Sequence, residues 1–134
     1  MKPYILKFEK YYTDKSSLPT YAGIYLVYKG KYNGIISEPT PIKLLYIGES
    51  DNIKLRHQNH EHEADFINTL KDGEILIYST VLEEDEEDRK RIENALVFHH
   101  KPPINDKGKD SFGYNTTCVI SSGACDLLDN YFVV

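Results

Sequence analysis

Tryptophan is absent from this 134-residue chain, methionine occurs once and cysteine twice. Cys118 and Cys125 are too few for a disulfide framework and do not form a Cys-x2-Cys pair. The expected setting is therefore reducing and intracellular, with the cytoplasm as the expected location. His57, His60, His62, His99 and His100 add possible zinc ligands, but none has the paired spacing of a structural zinc site. No stretch reaches the roughly 18 consecutive apolar residues of a membrane span. The opening Met1-Lys2-Pro3-Tyr4-Ile5-Leu6-Lys7 lacks the apolar region of a signal peptide. Gly108 to Gly113 lacks the Walker pattern, and no repeat, linker or low-complexity tract is evident.

What is present fits a folded chain. Charged residues make up 28% and the apolar set 40%, a balance that excludes disorder and suits one domain over residues 1–134. The net charge is −5, so the molecule as a whole does not attract polyanions. The charge is unevenly spread: residues 1–60 are net positive and 61–134 net negative. Local potential, not the total, governs a binding face. An acidic run from Glu83 to Asp88 accounts for much of the asymmetry.

In chain order, Ile5 to Phe8 is expected to be an edge strand and Lys10 to Pro19 a loop. Gly23-Ile24-Tyr25-Leu26-Val27-Tyr28 is a strong strand signal, rich in β-branched and aromatic residues. Residues 29–41 hold Gly30, Gly34, Pro39 and Pro41 and form a long connection, with a hairpin extension at Ile35-Ile36. Ile42 to Ile47 is the second strand, antiparallel to the first. Phe66 to Leu70 is a helical turn and Glu74 to Val81 the third strand. Glu83 to His99 is a helix whose acids lie in the first turn, complementing the helix dipole on a solvated face. Ile92, Ala95, Leu96 and His99 form its apolar stripe. Lys101-Pro102-Pro103 ends it, Val119-Ile120 is a short strand, and Ala124 to Asn130 a closing helix. The class is α+β, three strands with helices packed over them.

One stretch concentrates chemistry. Leu44-Leu45-Tyr46-Ile47 reads as a strand, Gly48 as a turn, and Ser50 or Asp51 as the cap of a helix from about Asn52 to His60. Arg56 and His60 then share one helical face near Tyr46. Taken singly, Tyr25 and Tyr46 are ordinary sheet residues, Arg56 a solvated helix residue, Glu93 a surface acid and Asn105 a turn former. Their order in the chain is what matters: Gly23-Ile24-Tyr25, Tyr46-Ile47-Gly48, Arg56, His60, Glu93 on the late helix, and Asn105 after Pro102-Pro103-Ile104.

In that order the residues resemble the GIY-YIG nuclease family, whose two tripeptides both stand here letter for letter. The resemblance covers about residues 21–106. It implies a three-stranded antiparallel sheet flanked by helices, and divalent-metal-dependent hydrolysis of DNA phosphodiester bonds. By resemblance Tyr25 is the favoured general base, Tyr46 positions water or phosphate, and Asn105 orients groups near them. His60 either contacts the phosphate or shares the base role. Glu93 supplies a hard oxygen ligand for Mg²⁺ or Mn²⁺. Arg56 offers a bidentate fork to phosphate, with Lys54 and His60 as further substrate contacts.

Two departures shape the expectation. The connection between Tyr25 and Tyr46 is longer than in compact members of the family. There is also no room for a separate DNA-recognition domain, so specificity falls to a homodimer, a partner protein or a DNA structure. The acidic balance leaves a second reading open: a nucleic-acid-binding or protein-interaction module with this fold and weak or no cleavage. The nuclease reading requires Tyr25 and Glu93, distant in sequence, to fold back onto Tyr46.

Overall fold

The structure is a computed structural model that describes residues 1–32 and 38–134. Its elements are β1 (Lys2–Phe8), β2 (Tyr11–Tyr12), a 3₁₀ turn (Lys15–Ser17), β3 (Gly23–Tyr32), β4 (Pro39–Ser50), α1 (Ile53–Gln58), α2 (Glu63–Asn68), β5 (Ile75–Leu82), α3 (Glu86–His100), β6 (Thr117–Gly123) and β7 (Tyr131–Val133). The class is α+β. The single three-stranded sheet expected from sequence is replaced by two sheets. One is antiparallel and four-stranded in the order β2-β5-β3-β4; the other is mixed and three-stranded in the order β1-β6-β7. Among the described residues no helix is long and apolar enough to cross a membrane.

β3 is central because it buries both faces. Ile24, Leu26 and Tyr28 join the core beneath α3 and the three-stranded sheet, with Phe8, Ile92, Leu96, Val119 and Phe132. Tyr25 and Val27 enter a second core under α1 and α2, with Leu18, Leu45, Ile53, Phe66 and Tyr78. A strand covered on both sides needs a continuous apolar run rather than an alternating one, which is what Gly23 to Tyr28 provides. The β3–β4 hairpin is longer than expected: pairing continues from Lys29 to Tyr32 against Lys43 to Pro39. The hairpin expected at Ile35-Ile36 lies outside the described residues.

Five other local expectations change. Tyr11–Tyr12 is a strand, paired with Tyr78 and Ser79 of β5. Gly48 does not turn the chain; β4 runs through it to Ser50. Asn52, not Ser50 or Asp51, caps α1, its side chain accepting from the Leu55 N–H. Ala124 to Asn130 is not helical. Local bonds such as Leu128 N–H to Cys125 C=O, and a positive φ of 71° at Leu127, make it a turn. The alternating Tyr131-Phe132-Val133 behind it pairs with β6. In α3 the dipole argument holds at the cap, where Asp85 accepts from the Asp88 N–H. The solvated-face argument does not hold for Arg89, which is buried and bonds to Glu49 (2.8 Å) and the Glu84 carbonyl (2.8 Å).

Both motif glycines are close approaches. A Cβ on Gly23 would stand 2.0 Å from the Val81 carbonyl oxygen, and one on Gly48 2.3 Å from the hydroxyl end of Tyr25. Tyr25 lies opposite Gly48 in the ladder, and its ring crosses over it. Gly48→Ala therefore overpacks a fully buried ring, at an expected cost of about 2–3 kcal/mol in chemical denaturation. A loss under about 0.5 kcal/mol would show that the ring does not occupy that space.

Candidate active site

The centre of the site is the Tyr25 phenol. β3 sends it into the core under α1, where it is 1% exposed and must find a polar partner. That partner is His60, whose Nε2 lies 2.8 Å from the hydroxyl. His60 Nδ1 accepts from the His62 backbone N–H at 3.0 Å. The proton of a neutral imidazole is then on Nε2, and His60 donates to the Tyr25 oxygen. Burial raises the Tyr25 phenol well above its ordinary value, the neighbouring Tyr46 adds to this, and the Arg56 charge opposes it. Burial likewise lowers His60 to about 3, with Arg56 adding to the effect.

His60 does not share a helical face with Arg56 as expected. α1 ends at Gln58, Asn59 leaves the helical region, and His60 lies in the turn that follows, facing inward. His57 is buried as well: it is 1% exposed, its ring stacked on His60 (5.1 Å) and edge-on to Tyr25 (4.5 Å). Its Nε2 has no hydrogen-bond partner among the described residues. Burial lowers His57 to about 4.

Outside this buried layer lies a cleft of about 190 Å³ lined by Tyr46, Glu61, His62, Glu93, Asn105 and Asp106, among others. Tyr46 connects the layers, stacked on Tyr25 at 6.2 Å and edge-on to His60 at 5.2 Å. Burial pushes the Tyr46 phenol up to about 12, and the Glu93 charge adds to the rise. Burial, then the Glu49 carboxylate, raises Glu93 to about 7, while the Glu49 backbone, Arg56 and Lys90 pull it down. Glu93 has no salt-bridge partner among the described residues. Arg56 donates to Glu61 at 3.2 Å. The two nitrogens of His62 face Asp65 at 2.9 Å and Asp106 at 3.2 Å.

Asn105 has a specific task. β4 is the edge of its sheet, so the Ile47 N–H and C=O point away from β3 with no neighbouring strand. The Asn105 side chain meets both, accepting from the N–H at 3.0 Å and donating to the carbonyl at 2.8 Å. Ile104 N–H adds a bond to the Leu45 carbonyl. Asn105 thus fixes the loop after α3 against β4, with its amide engaged on the backbone rather than turned to the cleft.

Of the residues expected from sequence, Tyr25, Tyr46, Arg56, His60, Glu93 and Asn105 come together. Lys54 does not: it lies on the side of Asp14, whose carboxyl is lowered by its bonds to Ser16 and, to a smaller extent, by the Lys54 charge. Sequence reasoning missed Glu61, His62 and Asp106 as cleft walls, and Glu49 as the acid beside Glu93. Only Glu49 carried a signal, its place directly after Gly48.

A second gathering, His99, His100 and Asp129, lies at the far end of α3. Both His100 nitrogens are engaged there, on the Leu96 carbonyl (3.0 Å) and the Asp129 N–H (2.9 Å). His99 stacks on Phe132 at 4.0 Å, which agrees with a packing role. Comparison of the chain with protein-family models, curated proteins and solved structures finds no match.

His57 and His60 are held neutral, with folded-state values below the roughly 6.5 of an unfolded histidine. The unfolded chain therefore binds more protons on acidification. The stability tied to these residues is complete above about pH 7 and is lost as pH falls toward their folded values. At pH 5 each is expected to cost about 2 kcal/mol relative to pH 7. His57→Phe should flatten the pH dependence of unfolding between pH 6.5 and 5; an unchanged slope would show that His57 is not buried as the neutral base.

Proposed function

We propose that the chain is a divalent-metal-dependent endonuclease of the GIY-YIG type, acting on DNA phosphodiester bonds. The observation that carries the reading is the meeting of Tyr46 and Glu93 in one cleft, backed by Tyr25 and His60, with Arg56 beside it on the cleft residue Glu61. These residues come from two strands, the α1–α2 region and α3, and no single element of the fold needs them to converge.

The donor set fits Mg²⁺ or Mn²⁺. Glu93 is a hard carboxylate with no salt-bridge partner among the described residues, in a cleft that Lys107 also lines, and such ions are commonly held by one or two carboxylates with water and substrate phosphate completing the shell. Glu93 would hold the ion, which when bound supplies Lewis-acid polarisation of the phosphate and a more acidic water. The chain's own residues do the rest. Arg56 presents its guanidinium to the phosphate and offsets charge developing in the transition state. Tyr46 is the phenol that reaches the cleft, so it is placed to orient the attacking water by hydrogen bonding. Tyr25, favoured as the base from sequence, is closed off behind Tyr46. It instead sets the position of Tyr46 by stacking, and that of the His60 turn through its hydroxyl. Specificity would come from a homodimer, a partner protein or the structure of the DNA.

The Glu61–Arg56 pair favours one alternative. An acid already occupying the guanidinium suits a binding module with weak or no cleavage.

Supercoiled plasmid, flapped and branched DNA incubated with Mg²⁺ or Mn²⁺ should be cut by the wild type. Glu93→Gln and Arg56→Ala should each lower the rate by about 10²–10³-fold. Removing the buried carboxylate also removes a group burdened by desolvation, so Glu93→Gln should raise Tm at pH 8 in metal-free buffer. Cleavage that survives Glu93→Gln, or no metal-dependent cleavage of any of these substrates, would overturn the nuclease reading.

A further inference from the structure

We propose that Glu61 is an internal phosphate mimic, a specificity-determining residue that occupies Arg56 until a substrate phosphate displaces it. This rests on the reading of the cleft as a phosphodiester site. The Glu61 carboxylate lies 3.2 Å from Arg56 Nη2, where a phosphate oxygen would seek its donor, and 3.9 Å from His62 Nε2. Carboxylate and phosphate make the same kind of charge-assisted bond to a guanidinium, so the two compete for it.

The placement follows from how the turn between α1 and α2 is held. His60 is fastened inward by Tyr25 and by the His62 N–H. His62 is fastened by Asp65 and Asp106. Between two anchored neighbours, Glu61 projects over the cleft that it lines with Tyr46 and Glu93. Of the acids that line the cleft, Glu61, Glu93 and Asp106, Glu61 is the one that pairs with Arg56 among the described residues, while Asp106 faces His62. Its side chain is 67% exposed while that of Arg56 is 29% exposed. The acid can therefore swing into solvent while the guanidinium stays in place. An exposed ion pair is weak and salt-sensitive. A phosphate supported by further contacts along a nucleic acid would displace the carboxylate, and an isolated phosphate would do so poorly.

The test uses Glu61→Gln, which keeps the shape of the side chain and removes its charge. Inorganic phosphate is titrated without metal into ¹⁵N-labelled wild type, Glu61→Gln, Arg56→Ala and the double variant, following the amide signals around Tyr46 and Arg56. Glu61→Gln should bind phosphate about fivefold more tightly at low salt, with the gain shrinking as salt rises and vanishing in the Arg56→Ala background. In cleavage assays KM should fall and kcat should not rise, whereas a merely structural role would move Tm or kcat instead. Equal phosphate affinity in wild type and Glu61→Gln, with binding still dependent on Arg56, would overturn the inference and leave the nuclease reading standing. Absence of Arg56-dependent binding in both proteins would overturn the inference together with the phosphate site itself.

Discussion

The Tyr25 ring lying across Gly48 is the contact on which the rest of the site depends. β3 is buried on both faces, so a tyrosine there has no route to water and its hydroxyl must be bonded inside the protein. The missing Cβ at Gly48 gives the ring its space, and His60 gives the hydroxyl its partner. Drawing His60 inward sets the path of the chain after Gln58, and the shape of that turn places Glu61 and His62 at the cleft. One ring packed against one glycine thereby governs where α1 stops and what stands in the cleft wall.

The site is built in two electrical layers. The inner layer, Tyr25, His57 and His60, is kept uncharged by burial. The outer layer carries the charges: Arg56, Glu61, Glu93 and the acids around His62. Tyr46 lies between them and feels both, through stacking on one side and the Glu93 charge on the other. A neutral, tightly packed layer under a charged rim keeps the cleft side chains from relaxing toward solvent, and the proposed cleavage would draw on preorganisation of this kind. The unpartnered Nε2 of His57 is a cost of this arrangement, since a buried nitrogen without a hydrogen bond destabilises the fold.

Much of the framework was legible in the sequence because it depends on local pattern. The apolar run Gly23 to Tyr28, the strand through Tyr46, the acidic start of α3 and its Ile92, Ala95 and Leu96 stripe all follow from periodicity and capping. Non-local events were not legible. Tyr11–Tyr12 is a strand only because β5 lies beside it, and Tyr131–Val133 only because β6 does. Gly48 read as a turn because glycine signals one in isolation; its reason here is a ring from another strand. His60 read as helical from its spacing to Arg56, yet the pull of a buried phenol outweighed one further turn of a short helix. For the same reason the six residues that come together could be named from their order, while Glu61, His62 and the neutral state of His57 required the packing.

The Asn105 side chain, bonded to both backbone groups of Ile47, has a consequence for how the molecule behaves among its own copies. An uncovered edge strand is a template on which another chain can lay a strand and extend the sheet, the first step of ordered aggregation. Across Leu45 and Ile47 that template is already occupied by Ile104 and Asn105. On the opposite edge, β2 is only two residues long. The same amide that braces the cleft also stops the four-stranded sheet from growing by one more strand where β4 is most apolar. The protein thus combines an edge strand that walls the cleft with resistance to polymerising through it.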